Sequence, residues 1–567
     1  MQPDRPVDAR SSPSSFDVII VGGGHNGLVA AGLLAREGLS VCVCEARELV
    51  GGAAISEHPF GPDHTVSTLS YVVSLLPPSI VTALDLPRHG YHVFPQGPYV
   101  APRRDGRALI LWDDPRRRAE AIAAFHPADA PAHQAWERDM GRLGRLLAPL
   151  LGDIPPTLGS RRPADLARQA WMLRRLAGID ARAAVDLARL ASSSVADLVE
   201  PRFASDALRG VLSVSGVIGT WGGPRSPGTG YVMLHHHLGG VEDGPSGPAQ
   251  NPTGSWGFPR GGMGAVSSAL AAAARSFGAR IRTSAPVARI EVRAGGGGPQ
   301  VQGVLLQDGT RLAAPIVVTT AHPQISFLRL VERSHLPADF VADIEGWHTR
   351  SGTVKVNLVV DRLPTLAAHP EFDPRVYGGT IVLAESLDDV EGAFTDAAAG
   401  RAAELPFADV CIPSVLDDSL APPGQHVVSM FTQWVPHTWA GADSPAGHAA
   451  ELDSYADRVV ARLDAVAPGL TDSVLHRQVI GPWQLEHDHH LIGGNIFHGE
   501  LTLGQMFHAR PAAGYADLRT PVRGLYQAGS GTHGGGGVTG IPGRNVVRQI
   551  LTDRRRARWR RRWTGSR

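Results

Sequence analysis

FDVIIVGGGHNGLVAAGLLAREGLSVCVCE, residues 16–45, is the stretch that decides the fold. Asp17 to Val21 is a short β-branched apolar run of the kind that forms a buried parallel strand. It breaks at Gly22, Gly23 and Gly24, after which an apolar helical pattern runs from His25 to about Gly38. Ser40 to Cys44 is a second buried strand, and it ends on Glu45. Each residue type has a chemical reason to be there. Gly22 can take the backbone angles of a tight turn, Gly24 leaves room for a pyrophosphate against the main chain, and Gly27 lets the helix lie close on the strand. The helix start, at His25 and Asn26, presents N–H groups and a positive dipole end to a diphosphate. Glu45, followed by Ala46, is placed to accept hydrogen bonds from ribose hydroxyls. Strand, glycine turn, helix, strand and acid together read as a dinucleotide site.

A second glycine turn, Gly51-Gly52-Ala53, follows shortly after the acid. The arrangement resembles the FAD-binding flavoprotein superfamily, in which such a pair passes beside the flavin end of the cofactor. GLYQAGSGTHGGGGVTGIPGRNVVRQIL, residues 524–551, resembles that superfamily's closing motif. The resemblance implies that Gly529, Val538 and Thr539 lie at the flavin, with Pro542 in the first turn of a last helix. In that superfamily the strand matching APVARI supplies backbone contacts to adenine, so the resemblance implies such a contact at Val287.

At 567 residues the chain has ample length for large cores, and no apolar run is long enough to span a bilayer. Residues 1–15 are polar, without the apolar core of a secretion signal, and read as a disordered lead. Cys42, Cys44 and Cys411 form no CxxC pair, which argues against dithiol chemistry and favours a reducing, cytoplasmic setting. The zero net charge hides an asymmetry. Residues 554–567, RRRARWRRRWTGSR, hold eight arginines, leaving 46 basic against 54 acidic groups elsewhere. This basic tail with Trp559 and Trp563 is suited to peripheral contact with an anionic membrane surface or to an exposed end. The acidic body excludes a nucleic-acid-binding domain.

Helical spacing dominates from Asp113 to about Asp206, as in WMLRRLAGIDARAAVDLARLA, and implies a helical insertion. After it come a glycine-rich segment with three consecutive histidines, a further glycine turn with helix, and a DG hairpin. The expected fold class is α/β: a discontinuous Rossmann-like FAD-binding domain and an α+β substrate domain containing the helical insertion. The expected segments are 16–110, 255–335 and 512–553 for the first and 111–254 and 336–511 for the second, with 554–567 as the tail.

SPGTGYVMLHHHLGG, WGFPRGGMGAVSSAL, KVNLVVDRLP, GGNIFHGELTLGQMFHARP and the closing motif together resemble the phytoene desaturase-related FAD-dependent oxidoreductases over nearly all of residues 16–551. The resemblance implies FAD and a dehydrogenase or desaturase acting on a small, lipophilic or conjugated organic substrate. A redox-neutral flavin-dependent isomerase and a flavin-stabilised interaction protein remain open alternatives. Carotenoid desaturases usually carry Arg after the second glycine pair; Ala53 stands there instead, which disfavours a carotene substrate.

Lys355 is the chain's only lysine among 54 basic residues, and Arg cannot replace a compact ammonium or a neutral amine. It lies on an alternating strand, in a position similar to the lysine that holds a water near the flavin in related amine oxidases. It is therefore a candidate proton relay. His235, His236 and His237, read as a strand, would point to opposite faces, so no metal site is expected there. His236 and His533 are the histidines expected to act at the reaction centre. Asn495 and Arg510 are further candidates for meeting substrate or flavin.

Overall fold

The computed structural model describes residues 15–237, 256–437 and 444–563. The polar lead before residue 15 and the loop VEDGPSGPAQNPTG, 241–254, lie outside the described residues.

The opening stretch folds as strand β1 (Val18–Val21), helix α1 (His25–Arg36) and strand β2 (Val41–Cys44). Both strands are buried along their whole length, because helices and other strands cover both faces of the sheet they build. That sheet has five parallel strands in the order Leu525–Gln527, Ile316–Thr319, β1, β2, Arg280–Arg282. Three separated parts of the chain therefore share one layer, as expected of a discontinuous Rossmann-like domain.

On one side α1 packs against the helices Met263–Ser276 and Ile541–Trp563. The last contact is set by Gly543, where a Cβ would sit 2.2 Å from the Asn26 carbonyl oxygen. Only a residue without a side chain lets the final helix come this close to the start of α1. A three-stranded antiparallel sheet, Val287–Arg293, Gln300–Leu306 and Arg311–Ala313, joins this half, with Asp308-Gly309 turning its last hairpin.

A seven-stranded sheet forms the second half, in the order Val474–Ile480, Thr353–Val360, His426–Gln433, Ala408–Cys411, Thr380–Leu383, Tyr99–Pro102, Ala108–Leu111. All its pairs are antiparallel except Thr380–Leu383 with Tyr99–Pro102. One face carries Val354, Val356, Leu358, Val410 and Met430 into a core shared with Tyr455, Val459 and Leu463 of helix Pro445–Asp464. The helical insertion runs from Pro115 to Ser215 as six helices, the longest being Asp129–Gly152.

Three expectations are corrected. Tyr99–Pro102 and nearly all of Ala108–Leu111, counted within the 16–110 dinucleotide-binding segment, belong to the seven-stranded sheet. The three histidines lie on a helix, Thr229–His237, and not on a strand. That helix is buried on all sides from Thr229 to His236, so it shows no amphipathic period to read. Residues 554–563, set apart as a tail, continue the helix that begins at Ile541. Arginine and alanine are good helix formers, and cations at a helix C-terminus oppose its dipole. Lys355 lies on the expected strand of the second half and is buried there, because Thr353–Val360 is covered on both faces.

Among the described residues no helix is long and apolar enough to cross a membrane. The three cysteines are buried and unpaired.

Gly543→Leu should cost about 1–3 kcal/mol of stability by overpacking, read as a lowered midpoint of thermal unfolding. The matched control, Gly392→Ala, lies on a helix with open space around its Cα and should leave the midpoint unchanged or raise it.

Candidate functional site

The two sheets enclose a chamber of about 410 Å³. One wall is the glycine cradle: Val21, Gly22, Gly24, His25 and Asn26, then Glu45, Ala46, Gly51, Gly52 and Ala53. Gly24 precedes α1 with no side-chain cap, so the first N–H groups of the helix keep their hydrogen-bonding capacity for a ligand. Gly22 has φ +100°, a conformation that favours glycine. Thr320 locks the turn by donating its hydroxyl to the Val21 and Gly22 carbonyls, both at 3.1 Å. Glu45 lines the chamber, its carboxylate accepting from Gly23 N at 2.7 Å and Arg47 N at 2.9 Å. Each oxygen retains a lone pair for a ribose hydroxyl.

The C-terminal motif closes the same chamber. Ser530, Gly537 and Val538 line it, and Asn26 donates to the Ser530 hydroxyl at 3.5 Å, tying the two ends of the chain together. Val287 lines it beside Pro286. Three cofactor candidates stand behind the lining. A Cβ on Gly27 would lie 2.2 Å from the Gly22 carbonyl oxygen, and one on Gly529 would lie 2.4 Å from that of Thr320. The Thr539 hydroxyl donates to Gly534 O at 2.8 Å and receives Ile541 N at 3.2 Å, capping the last helix.

The catalytic candidates separate. Lys355 and His236 line the chamber, and His533 does not. His533 donates from Nε2 to the Leu150 carbonyl at 2.9 Å, which holds helix Asp129–Gly152 against the closing motif. His236 is fixed by an Nδ1 bond to the Val232 carbonyl at 2.9 Å, and burial pushes its pKa down to about 4. Burial likewise lowers His25 to about 4 and His498 to about 3, so the histidines of this wall are neutral at pH 7. Arg510 is a clamp: its guanidinium donates to the carbonyls of Phe497, Gln505, Ser530 and Thr532. Asn495 accepts from Phe497 N and Gly499 N, shaping the loop that sets Phe497 and His498 into the chamber. Among the described residues, no three His, Cys, Asp or Glu side chains gather to hold a metal ion.

The opposite wall is the second face of the seven-stranded sheet. Its register sets Val382, Asp409, Phe431 and Lys355 in one row across four strands, and all four line the chamber. Burial pushes Lys355 down to about 7 and Asp409 up to about 7. The Lys355 ammonium lies 4.6 Å from the centre of the Tyr71 ring and meets the Ser429 hydroxyl, which in turn donates to Asn357 Oδ1 at 3.2 Å. Tyr71 reaches toward Asp409 at 3.5 Å. Neither Tyr71 nor Asp409 stands out in the sequence. Only the pairing of Asp409 with Phe431, and of Phe431 with Lys355, brings them to the lysine.

A model of the flavin-containing amine oxidoreductases matches residues 248–543, and one of the NAD(P)-binding Rossmann-like domain matches 20–82. The mouse protein "pyridine nucleotide-disulfide oxidoreductase domain-containing protein 2" is 38% identical, covering 95% of this chain and 94% of its own. The chain belongs to the flavin-containing amine oxidoreductase family. A limonene dehydrogenase polypeptide of Castellaniella defragrans is 24% identical over 96% of each protein. A solved putrescine oxidase covers 95% of this chain and 99% of its own at 18% identity with TM-score 0.57, a likeness of fold.

As a member of this family the chain is an oxidoreductase, and its cofactor is FAD. The cradle fits that group. Asn26 Oδ1, His25 Nε2 and His498 Nδ1 are buried without partners in residues lining the chamber, beside the uncapped start of α1. Such atoms call for polar partners, which a bound dinucleotide would supply. Gly27→Val forces a methyl into the Gly22 carbonyl and should yield folded protein without visible flavin absorbance. Circular dichroism alongside the flavin spectrum checks both halves of that expectation.

Proposed function

We propose that the protein dehydrogenates a lipophilic or conjugated organic substrate bound in the chamber. FAD, when bound, supplies a two-electron acceptor for the hydride. The remaining work falls to the chain. Leu69, Val211, Val214, Ile218 and Phe497 give the chamber an apolar lining that takes up an apolar substrate and keeps water from it.

The observation that carries the reading is Lys355, a buried amine on the chamber wall whose pKa has fallen to about 7. Above that pH its Nζ is neutral and can take the proton that leaves the substrate with the hydride. Ser429 fixes Nζ in place: its own proton is committed to Asn357 Oδ1, so its oxygen accepts from the amine. A compact amine suits this position, whereas a guanidinium would stay charged at any working pH.

An anaerobic screen of candidate substrates against the oxidised protein tests the reaction class. A dehydrogenase bleaches its flavin with substrate alone, and a redox-neutral isomerase responds only after prior reduction. With a substrate in hand, the flavin reduction rate at saturation should rise as pH passes upward through about 7. Lys355→Met should slow it by roughly 10²–10⁴-fold and remove that rise. Unchanged rates and an unchanged profile would dismiss the lysine's role.

A further inference from the structure

Most polar side chains on the sheet wall of the chamber are satisfied by each other. Lys355 is held by Ser429, Gln96 donates to the Thr380 hydroxyl at 2.6 Å, and Thr380 lies 3.4 Å from the Cys411 sulfur. Asp409 is the exception. It is 6% exposed and sits at the chamber surface. One carboxyl oxygen has a single long contact, 3.5 Å from the Tyr71 hydroxyl, and the other has no hydrogen-bond partner. A buried carboxyl with so little support is costly, and native cores rarely keep one without a use. The neighbouring strands offer nothing to complete it: Phe431 and Val382 are its cross-strand partners, and both are apolar.

We infer that Asp409 is the polar anchor for the substrate, its carboxyl accepting a hydrogen bond from a hydroxyl or amine on an otherwise apolar molecule. A pure hydrocarbon would leave the carboxyl stranded, so the inference narrows the substrate to amphipathic compounds carrying a donor group. The apolar wall takes the carbon skeleton, while Asp409 and Tyr71 fix the donor and thereby the carbon presented for oxidation. The inference rests on the reading of this chamber as the substrate site. It does not require that the reaction be a dehydrogenation.

Calorimetric titration of the FAD-loaded full-length protein with toluene, benzyl alcohol and benzylamine tests it. These three probes share a ring and differ in the donor. At least one donor probe should bind about tenfold or more tightly than toluene, the yield of one hydrogen bond to a carboxylate. Asp409→Leu should erase that preference while leaving toluene binding and flavin content in place. Asp409→Asn keeps an acceptor but no charge, so loss of preference for benzylamine alone identifies a cationic amine. Retained preference for benzyl alcohol in Asp409→Asn identifies a neutral donor. Equal affinity for all three probes in the wild-type protein, no detectable binding of either donor probe, or a preference that survives Asp409→Leu would overturn the proposal. Calorimetry reads binding whether or not the flavin turns over, so failure here is distinct from failure of the dehydrogenase reading.

Discussion

The hydroxyl of Thr320, shared between the Val21 and Gly22 carbonyls, is the knot on which the cofactor half depends. It joins the end of the strand Ile316–Thr319 to the first glycine turn. Ala528 N then donates to the Thr319 carbonyl at 2.9 Å, bringing in the last strand. Segments from the beginning, middle and end of the chain are thus fixed at one point. Close glycine contacts enforce it: Gly529 lies against Thr320, and Gly543 against Asn26. The cradle for FAD exists only once all three segments are docked, so cofactor affinity and the stability of this half are thermodynamically linked.

The seven-stranded sheet answers a different constraint. Its outer face packs Val354, Val356, Val410 and Met430 into a dry core. Its inner face lines the chamber and carries Thr353, Lys355, Thr380 and Asp409. Burying an amine and a carboxyl on that face pushes their pKa values toward each other, both to about 7. In a structural role these groups would be replaceable by apolar residues at a gain in stability. On the wall of a chamber, an amine and a carboxyl brought toward neutrality are the pattern that marks candidate functional groups.

Much of the cofactor site was legible in the sequence because its elements are local. β1, the glycine turn, α1, β2 and Glu45 fall within thirty residues, and each residue type follows from one backbone or hydrogen-bonding requirement. Lys355 was legible through composition and through the Thr-Val-Lys-Val-Asn-Leu alternation. The helix Thr229–His237 was not, since full burial erases the periodicity that separates helix from strand. His533 looked like a flavin neighbour from its place in the closing motif, yet the side chain turns to Leu150, a carbonyl contributed by the helical insertion.

The chain's own order of residues determined the dinucleotide-binding unit, the helical insertion and the single lysine on an alternating strand. These depend on φ/ψ preference, side-chain period and residue type, all properties of neighbours in the chain. Tertiary structure alone decided that Tyr71 and Asp409 would share a wall with Lys355, and that Tyr99–Pro102 would join the substrate sheet. Strand register sets which distant side chains meet, and register is fixed by burial of a whole face at once.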